Sequence, residues 1–213
     1  FGDRFREPGK RLPVSDILAH RGDVRQVVLH AHGRVDAASD FAQLVGDRLS
    51  SHFLIHWDGT IYQTLDVGFA AYHAGEANMR GIGIDLEGLL DNLKTRPNAP
   101  AYPKKHPRLT EMLAPAYTRR PGPEAVINGA AVRTYTFTDA QYRSLGSLLR
   151  LLASVFPSVD AGPPLVDEQV EPSVLSRPED HHGVIAHWHL DAQVYDPGPS
   201  FDWARLGLRN PPR

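Results

Sequence analysis

Three side chains in this sequence have the types and the placement to hold a metal ion. Val184 to Ala186 is a short apolar run of strand type that delivers His187 at its end, and nine residues later Asp196 stands directly before Pro197-Gly198-Pro199. Proline fixes its own backbone and restricts the residue before it to extended conformations, so Asp196 is a stiffly presented carboxylate. Val27-Val28-Leu29 is a second apolar strand, and it too ends in an imidazole, His30. Two histidines and one carboxylate leave the fourth corner of a tetrahedral zinc open to water, the arrangement of a catalytic rather than a structural site. Spacing alone leaves a second reading open, in which His30 and His187 are polar strand ends and Asp196 is a turn former.

Two further stretches carry chemistry. Ala70-Ala71-Tyr72-His73-Ala74-Gly75 is a loop of small residues presenting one aromatic ring and one imidazole, open enough for close approach of a ligand or for a tight turn. In Gly81-Ile82-Gly83-Ile84-Asp85-Leu86-Glu87-Gly88, strand alternation puts Ile82, Ile84 and Leu86 on one face and Gly83, Asp85 and Glu87 on the other. Glycine and two acids pack poorly in a core. That face is read as a cleft wall carrying a general base, with a solvated sheet edge as the plainer reading. His32 follows His30 at the two-residue period and faces the same way; it is a spare ligand, a supporting group or a solvated loop histidine. His52 and His56 are read as structural.

The elements that must position these groups are legible in part. Residues 39–49 suit a helix with Ser39 as N-cap and Phe41, Leu44, Val45 and Leu49 as its apolar stripe. Asp58-Gly59 between two apolar runs is a hairpin signal. Thr138-Asp139-Ala140-Gln141 is a capping box opening a helix whose stripe is Tyr142, Leu145, Leu148, Leu149 and Leu152. Residues 1–24 read as a lead-in. Residues 89–133 and 160–182 read as two irregular insertions. The first carries eight Lys or Arg against three acids, and the second carries six acids against Arg177. These opposite signs suggest that the two pack together beside the cleft. Phe201-Asp202-Trp203 is expected to form a last amphipathic turn.

Composition narrows the rest. With 213 residues, 41% hydrophobic and 23% charged, the chain suits one globular domain spanning 1–213. A net charge of −2 offers no electrostatic case for nucleic acid. No apolar run reaches the roughly 18 residues of a membrane span. Without cysteine, any metal must use His, Asp or Glu. The chain starts at Phe1, which is compatible with removal of an upstream signal or anchor.

Taken in order, Val-Val-Leu-His30, Ser51-His52-Phe53-Leu54-Ile55 with Asp58-Gly59-Thr60-Ile61-Tyr62-Gln63, Tyr72-His73-Ala74-Gly75, Asn78 before Ile82 to Gly88, the Thr138 capping box, and His187 with Asp196-Pro197-Gly198-Pro199 and Phe201-Asp202-Trp203 resemble the zinc-dependent N-acetylmuramoyl-L-alanine amidases of the type 2 amidase and peptidoglycan-recognition-protein superfamily. The resemblance implies an α/β fold: a central mixed β-sheet flanked by helices, with a zinc cleft on one face. It implies hydrolysis of the amide joining the lactyl group of N-acetylmuramic acid to L-alanine, in peptidoglycan or its muropeptide fragments. The implied ligands of Zn2+ are His30, His187 and Asp196. The implied catalytic acid falls on Asp85, where the bacterial branch carries glutamate, with Glu87 in reserve. His73, Asn78 and Glu87 are expected to line the substrate. The lysine that stabilises the oxyanion in relatives is replaced by Val194, and His189 or His73 is expected to supply that function. In the branch that uses a tyrosine before the histidine of the Ser51-His52 block, this chain has Ser51. A monomer acting in the cell envelope is expected, with a cytoplasmic recycling role as the alternative. A peptidoglycan-binding module that keeps the fold without cleaving is the competing function.

Overall fold

The computed structural model describes residues 23–32, 37–87 and 121–208, without the side chains of His32 and Pro121. The rest of the lead-in and residues 89–120 of the first insertion, with Lys104 and Lys105, lie outside the described residues. At the centre is a five-stranded mixed sheet in the order β3-β2-β4-β1-β9. Strands β1 (Gln26–His32), β2 (Phe53–Ile55), β4 (Gly81–Glu87) and β9 (Gly183–Ala186) run parallel, and β3 (Ile61–Gln63) closes one edge antiparallel to β2.

One face of this sheet is sealed by helix α2 (Asp139–Val155). Its start follows from the capping box: Thr138 Oγ1 accepts the Gln141 N–H at 3.1 Å, and Gln141 Oε1 accepts the Thr138 N–H at 3.0 Å. Tyr142, Leu145, Leu148, Leu149 and Leu152 form one buried stripe against Val27, Leu29, Ile82, Ile84 and Leu86. The buried Gln141 amide also donates to the carbonyls of Glu87 (2.6 Å) and Ile55 (3.3 Å), so the helix cap ties down the ends of β4 and β2. The β2–β3 hairpin turns through Asp58 and Gly59 as expected, and its carbonyls at Trp57 and Gly59 accept hydrogen bonds from Thr138 and Ser144 at the head of α2. No helix among the described residues is long and apolar enough to cross a membrane.

Three expectations need correction. Helix α1 runs Ala37–Gly46, so Ser39 lies inside it rather than at its cap. Of the expected stripe only Leu44 is buried; Phe41 and Val45 lie on another line of the helix and are exposed, and Leu49, also exposed, falls beyond the helix end. Residues 121–135 are not irregular. They form a hairpin of β5 (Pro121–Ile127) and β6 (Ala130–Tyr135), turning through Asn128 (φ 49°) and Gly129 (φ 74°), which is the Asn-Gly turn that strand twist favours.

The 160–182 stretch is largely irregular as expected, apart from the two-residue strands β7 (Leu165–Val166) and β8 (Gln169–Val170) and a short turn of helix at Pro178–Asp180. It meets the hairpin through Asn128, whose N–H donates to the Pro172 carbonyl at 2.9 Å and whose Oδ1 accepts the Val174 N–H at 2.7 Å.

Candidate metal centre

Strands β1 and β9 are parallel neighbours in the register Leu29↔Ala186. The next residue in each case is a histidine, His30 within β1 and His187 directly after β9, so the sheet sets the two side by side on the face away from α2. Asp196 reaches the same point from the following turn, which is locked in place by the β5–β6 hairpin. Gly198 has φ +91°, and the Thr134 side chain fills the position its Cβ would take. Ser200 donates its N–H to Thr134 Oγ1 at 3.2 Å and its hydroxyl to the Thr134 carbonyl. No side chain larger than hydrogen is compatible with that contact at residue 198.

The result is three ligating atoms around one point. His30 Nδ1 and His187 Nδ1 are 3.1 Å apart; Asp196 Oδ2 is 3.2 Å from His30 Nδ1, and Asp196 Oδ1 is 3.1 Å from His187 Nδ1. A tetrahedral zinc with bonds of about 2.0–2.2 Å has ligand-to-ligand edges of about 3.3–3.6 Å, which these separations approach. The donor set is two imidazoles and one carboxylate, with His30 2% and Asp196 8% exposed. Burial raises the Asp196 carboxyl, but hydrogen bonds to His187 and His30 outweigh it and hold the group well below the usual carboxylate range. Burial and the neighbouring His187 lower His30, while at His187 the Asp196 bond overcomes burial and raises it. A buried anion facing two convergent imidazoles fits a divalent cation.

Asp85 lies beside this centre. It is opposite His30 in the β1–β4 ladder, is 1% exposed, and its charge acts on His30, His187 and His52. Glu87, two residues further on the same face, engages His56 Nδ1, a pairing that had no signal in the spacing of the two residues. His52 is structural as expected: Nδ1 accepts the Gly83 N–H at 3.0 Å, and Nε2 donates to the Phe69 carbonyl at 2.8 Å.

The remaining expectations change. His189 is fully buried, its Nδ1 accepts the Ala186 N–H at 3.0 Å and its Nε2 donates to the Glu171 carbonyl at 2.7 Å. Burial pushes its pKa down to about 3, so it carries no positive charge and has no nitrogen left for a substrate. His187–His189 forms a turn of 3-10 helix, which points the two rings differently. Asn78 braces its own loop, its Oδ1 accepting the N–H groups of His73 (2.9 Å) and Ala74 (2.6 Å). His73 turns towards the sheet, with Nδ1 2.8 Å from His30 Nε2.

Residues 20–199 match a family model described as N-acetylmuramoyl-L-alanine amidase. Among curated proteins, the 1,6-anhydro-N-acetylmuramyl-L-alanine amidase AmpD of Salmonella typhimurium is 26% identical over 180 residues, covering 80% of this chain and 62% of the relative. The Escherichia coli protein of the same name is 27% identical over 174 residues, covering 78% and 61%. The chain thus spans about three-fifths of the length of these curated relatives. Among solved structures, the N-acetylmuramyl-L-alanine amidase AmiD of E. coli, in complex with an anhydro-N-acetylmuramic acid peptide, superposes with a TM-score of 0.53 at 19% identity, covering 95% of this chain and 60% of that one. AmpDh3 of Pseudomonas aeruginosa, solved with an anhydromuramic pentapeptide, gives 0.54 at 17% identity, covering 96% and 66%. At such identities the structural likeness speaks for the fold.

Proposed function

Because the chain belongs to the N-acetylmuramoyl-L-alanine amidase family, we propose that it hydrolyses the amide between the lactyl group of N-acetylmuramic acid and L-alanine, in peptidoglycan or its soluble fragments. The convergence of His30 Nδ1, His187 Nδ1 and an Asp196 carboxylate oxygen at 3.1–3.2 Å is the observation that carries this reading. A zinc ion held by these three residues supplies Lewis-acid polarisation of the scissile carbonyl and brings the pKa of water from about 15.7 towards 7.

Asp85 acts as the proton carrier. It takes a proton from the attacking water as the new C–O bond forms, and returns it to the alanine nitrogen as the C–N bond breaks. Its place beside His30 on the cleft face supports that role. Glu87, held by His56, borders the cleft one step along the same strand face. Val194 stands where relatives carry a lysine, and both histidines considered as substitutes are committed elsewhere. Loss of such a donor costs about a hundred- to a thousandfold in rate, so turnover is expected to be slow.

Val194 also favours a second reading, a peptidoglycan-binding module that no longer cleaves. Muropeptides incubated with purified protein separate the two by mass spectrometry. The amidase releases a peptide with a free N-terminal alanine, loses that activity to a chelator and recovers it with zinc. Intact muropeptide after prolonged incubation with zinc-loaded protein, together with measurable binding, would establish the module instead.

A further inference from the structure

His30 uses only one of its ring nitrogens at the centre. Nδ1 faces His187 and Asp196, and Nε2 lies 2.8 Å from His73 Nδ1. For Nδ1 to offer a lone pair to a cation, the neutral imidazole must keep its proton on Nε2. That N–H lies within hydrogen-bond reach of the His73 Nδ1 lone pair. The two rings meet edge to face, with centroids 5.0 Å apart and planes at 81°, so the lone pair of one ring is approached by the edge of the other.

The fold devotes several residues to holding His73 there. Its backbone N–H and that of Ala74 both donate to Asn78 Oδ1, which fixes the loop above the sheet. Its ring lies against the sheet at two glycines. A Cβ on Gly83 would stand 2.9 Å from His73 Nδ1 and 3.0 Å from its Cγ, and one on Gly81 would stand 3.7 Å from its Cε1. Gly83, read in the sequence as part of a cleft wall, is together with Gly81 the seat of this imidazole. The ring is close-packed between the glycines and the ligand.

We propose that His73 is a positioning residue for the metal ligand His30: it accepts the His30 Nε2–H, and so fixes the tautomer and the rotation that aim His30 Nδ1 at the cation. The inference rests on the zinc reading above and adds a residue that does not itself reach the metal or the substrate. A hydrogen-bond acceptor behind a ligating imidazole both orients the ring and raises its basicity, and its loss costs about 10- to 100-fold in metal affinity.

The test compares His73→Phe, which keeps a ring and removes the acceptor, with His73→Asn, whose side-chain oxygen can take the place of Nδ1. Zinc affinity is measured by competition with a chelating dye, and a cobalt(II)-substituted sample reports ligand geometry through its visible absorption. Far-UV circular dichroism verifies the fold of each variant. His73→Phe is expected to bind zinc about 10- to 100-fold more weakly and to alter the cobalt spectrum, with His73→Asn recovering most of the affinity. In zinc-loaded wild type, 15N shifts are expected to show His30 protonated at Nε2. Wild-type affinity in a folded His73→Phe protein would overturn the proposal, as would a His30 protonated at Nδ1. If His73→Phe fails to fold, the comparison of His73→Asn with wild type and the 15N tautomer of His30 decide. His30→Ala separates this failure from that of the underlying reading, because undiminished zinc binding there would remove His30 from the site altogether.

Discussion

Acid should unfold this protein through two histidines that never touch substrate. His52 and His189 are 1% and 0% exposed and have both ring nitrogens bonded to backbone groups. Burial, the dominant cause, lowers His52 from 6.5 to about 4 and His189 from 6.5 to about 3. The unfolded chain therefore binds a proton at each site below pH 6.5 that the folded chain refuses until far lower pH. Stability from these groups is complete above pH 6.5 and is lost as the pH falls, at ~1.4 kcal/mol per pH unit for each histidine, or ~2 kcal/mol each by pH 5. Against a typical total of about 5–15 kcal/mol, that loss is large. The assay is urea denaturation followed by tryptophan fluorescence from pH 8 to pH 4.5, for wild type and His189→Phe at the same zinc concentration. The variant leaves the Ala186 N–H without its His189 acceptor, while the Glu171 carbonyl keeps the Trp188 Nε1–H at 3.0 Å, so it starts lower at every pH by ~1–3 kcal/mol. Its slope between pH 6 and 4.5 should be smaller by ~1.4 kcal/mol per unit, because one refused proton is gone. Contributions from the other titrating groups are shared by both proteins and cancel in the difference. Parallel curves would refute the reasoning, since they would mean that His189 titrates in the native protein as it does in the unfolded one.

Asp85→Ala should retain zinc at wild-type stoichiometry and lose turnover on a muramoyl-L-alanine peptide; a zinc-loaded variant of full activity would remove Asp85 from the mechanism. Val194→Lys should raise kcat, by tenfold or more if the new ammonium reaches the developing oxyanion, with KM little changed in steady-state assays. A lysine variant no faster than wild type would show that residue 194 is not directed at the reacting carbonyl. Asp196→Ala should abolish both zinc retention and cleavage, measured by metal analysis and by product masses.

The parts of the site that were legible in the sequence are those that leave a mark along the chain. His30 and His187 end apolar strands, Asp196 precedes a Pro-Gly-Pro turn, and Thr138 with Gln141 forms a capping box, so each could be found from its neighbours. The alternation in β4 likewise put Ile82, Ile84 and Leu86 together on one face, which is the face α2 covers. What escaped was decided by which partner each polar side chain found, near or far along the chain. His189 and Asn78 satisfy backbone groups, His73 serves another imidazole, and Glu87 engages His56; residue type alone does not distinguish these duties from contact with a substrate. The β5–β6 hairpin did carry a signal, Asn128-Gly129, but it was hidden by the prolines at 121 and 123. Those prolines are tolerated because they sit at the start of the strand, where the pairing register shifts between Pro121 and Glu124. The exposed Phe41 and Val45 on α1 show the opposite error: helical spacing identifies a stripe without saying which way it faces.

The ligand set can be tested most directly by anomalous diffraction at the zinc absorption edge from crystals of the zinc-loaded protein. The account predicts one peak about 2.0–2.2 Å from His30 Nδ1, His187 Nδ1 and a carboxylate oxygen of Asp196. A peak bound elsewhere, or one reached by only one of the two imidazoles, would contradict it.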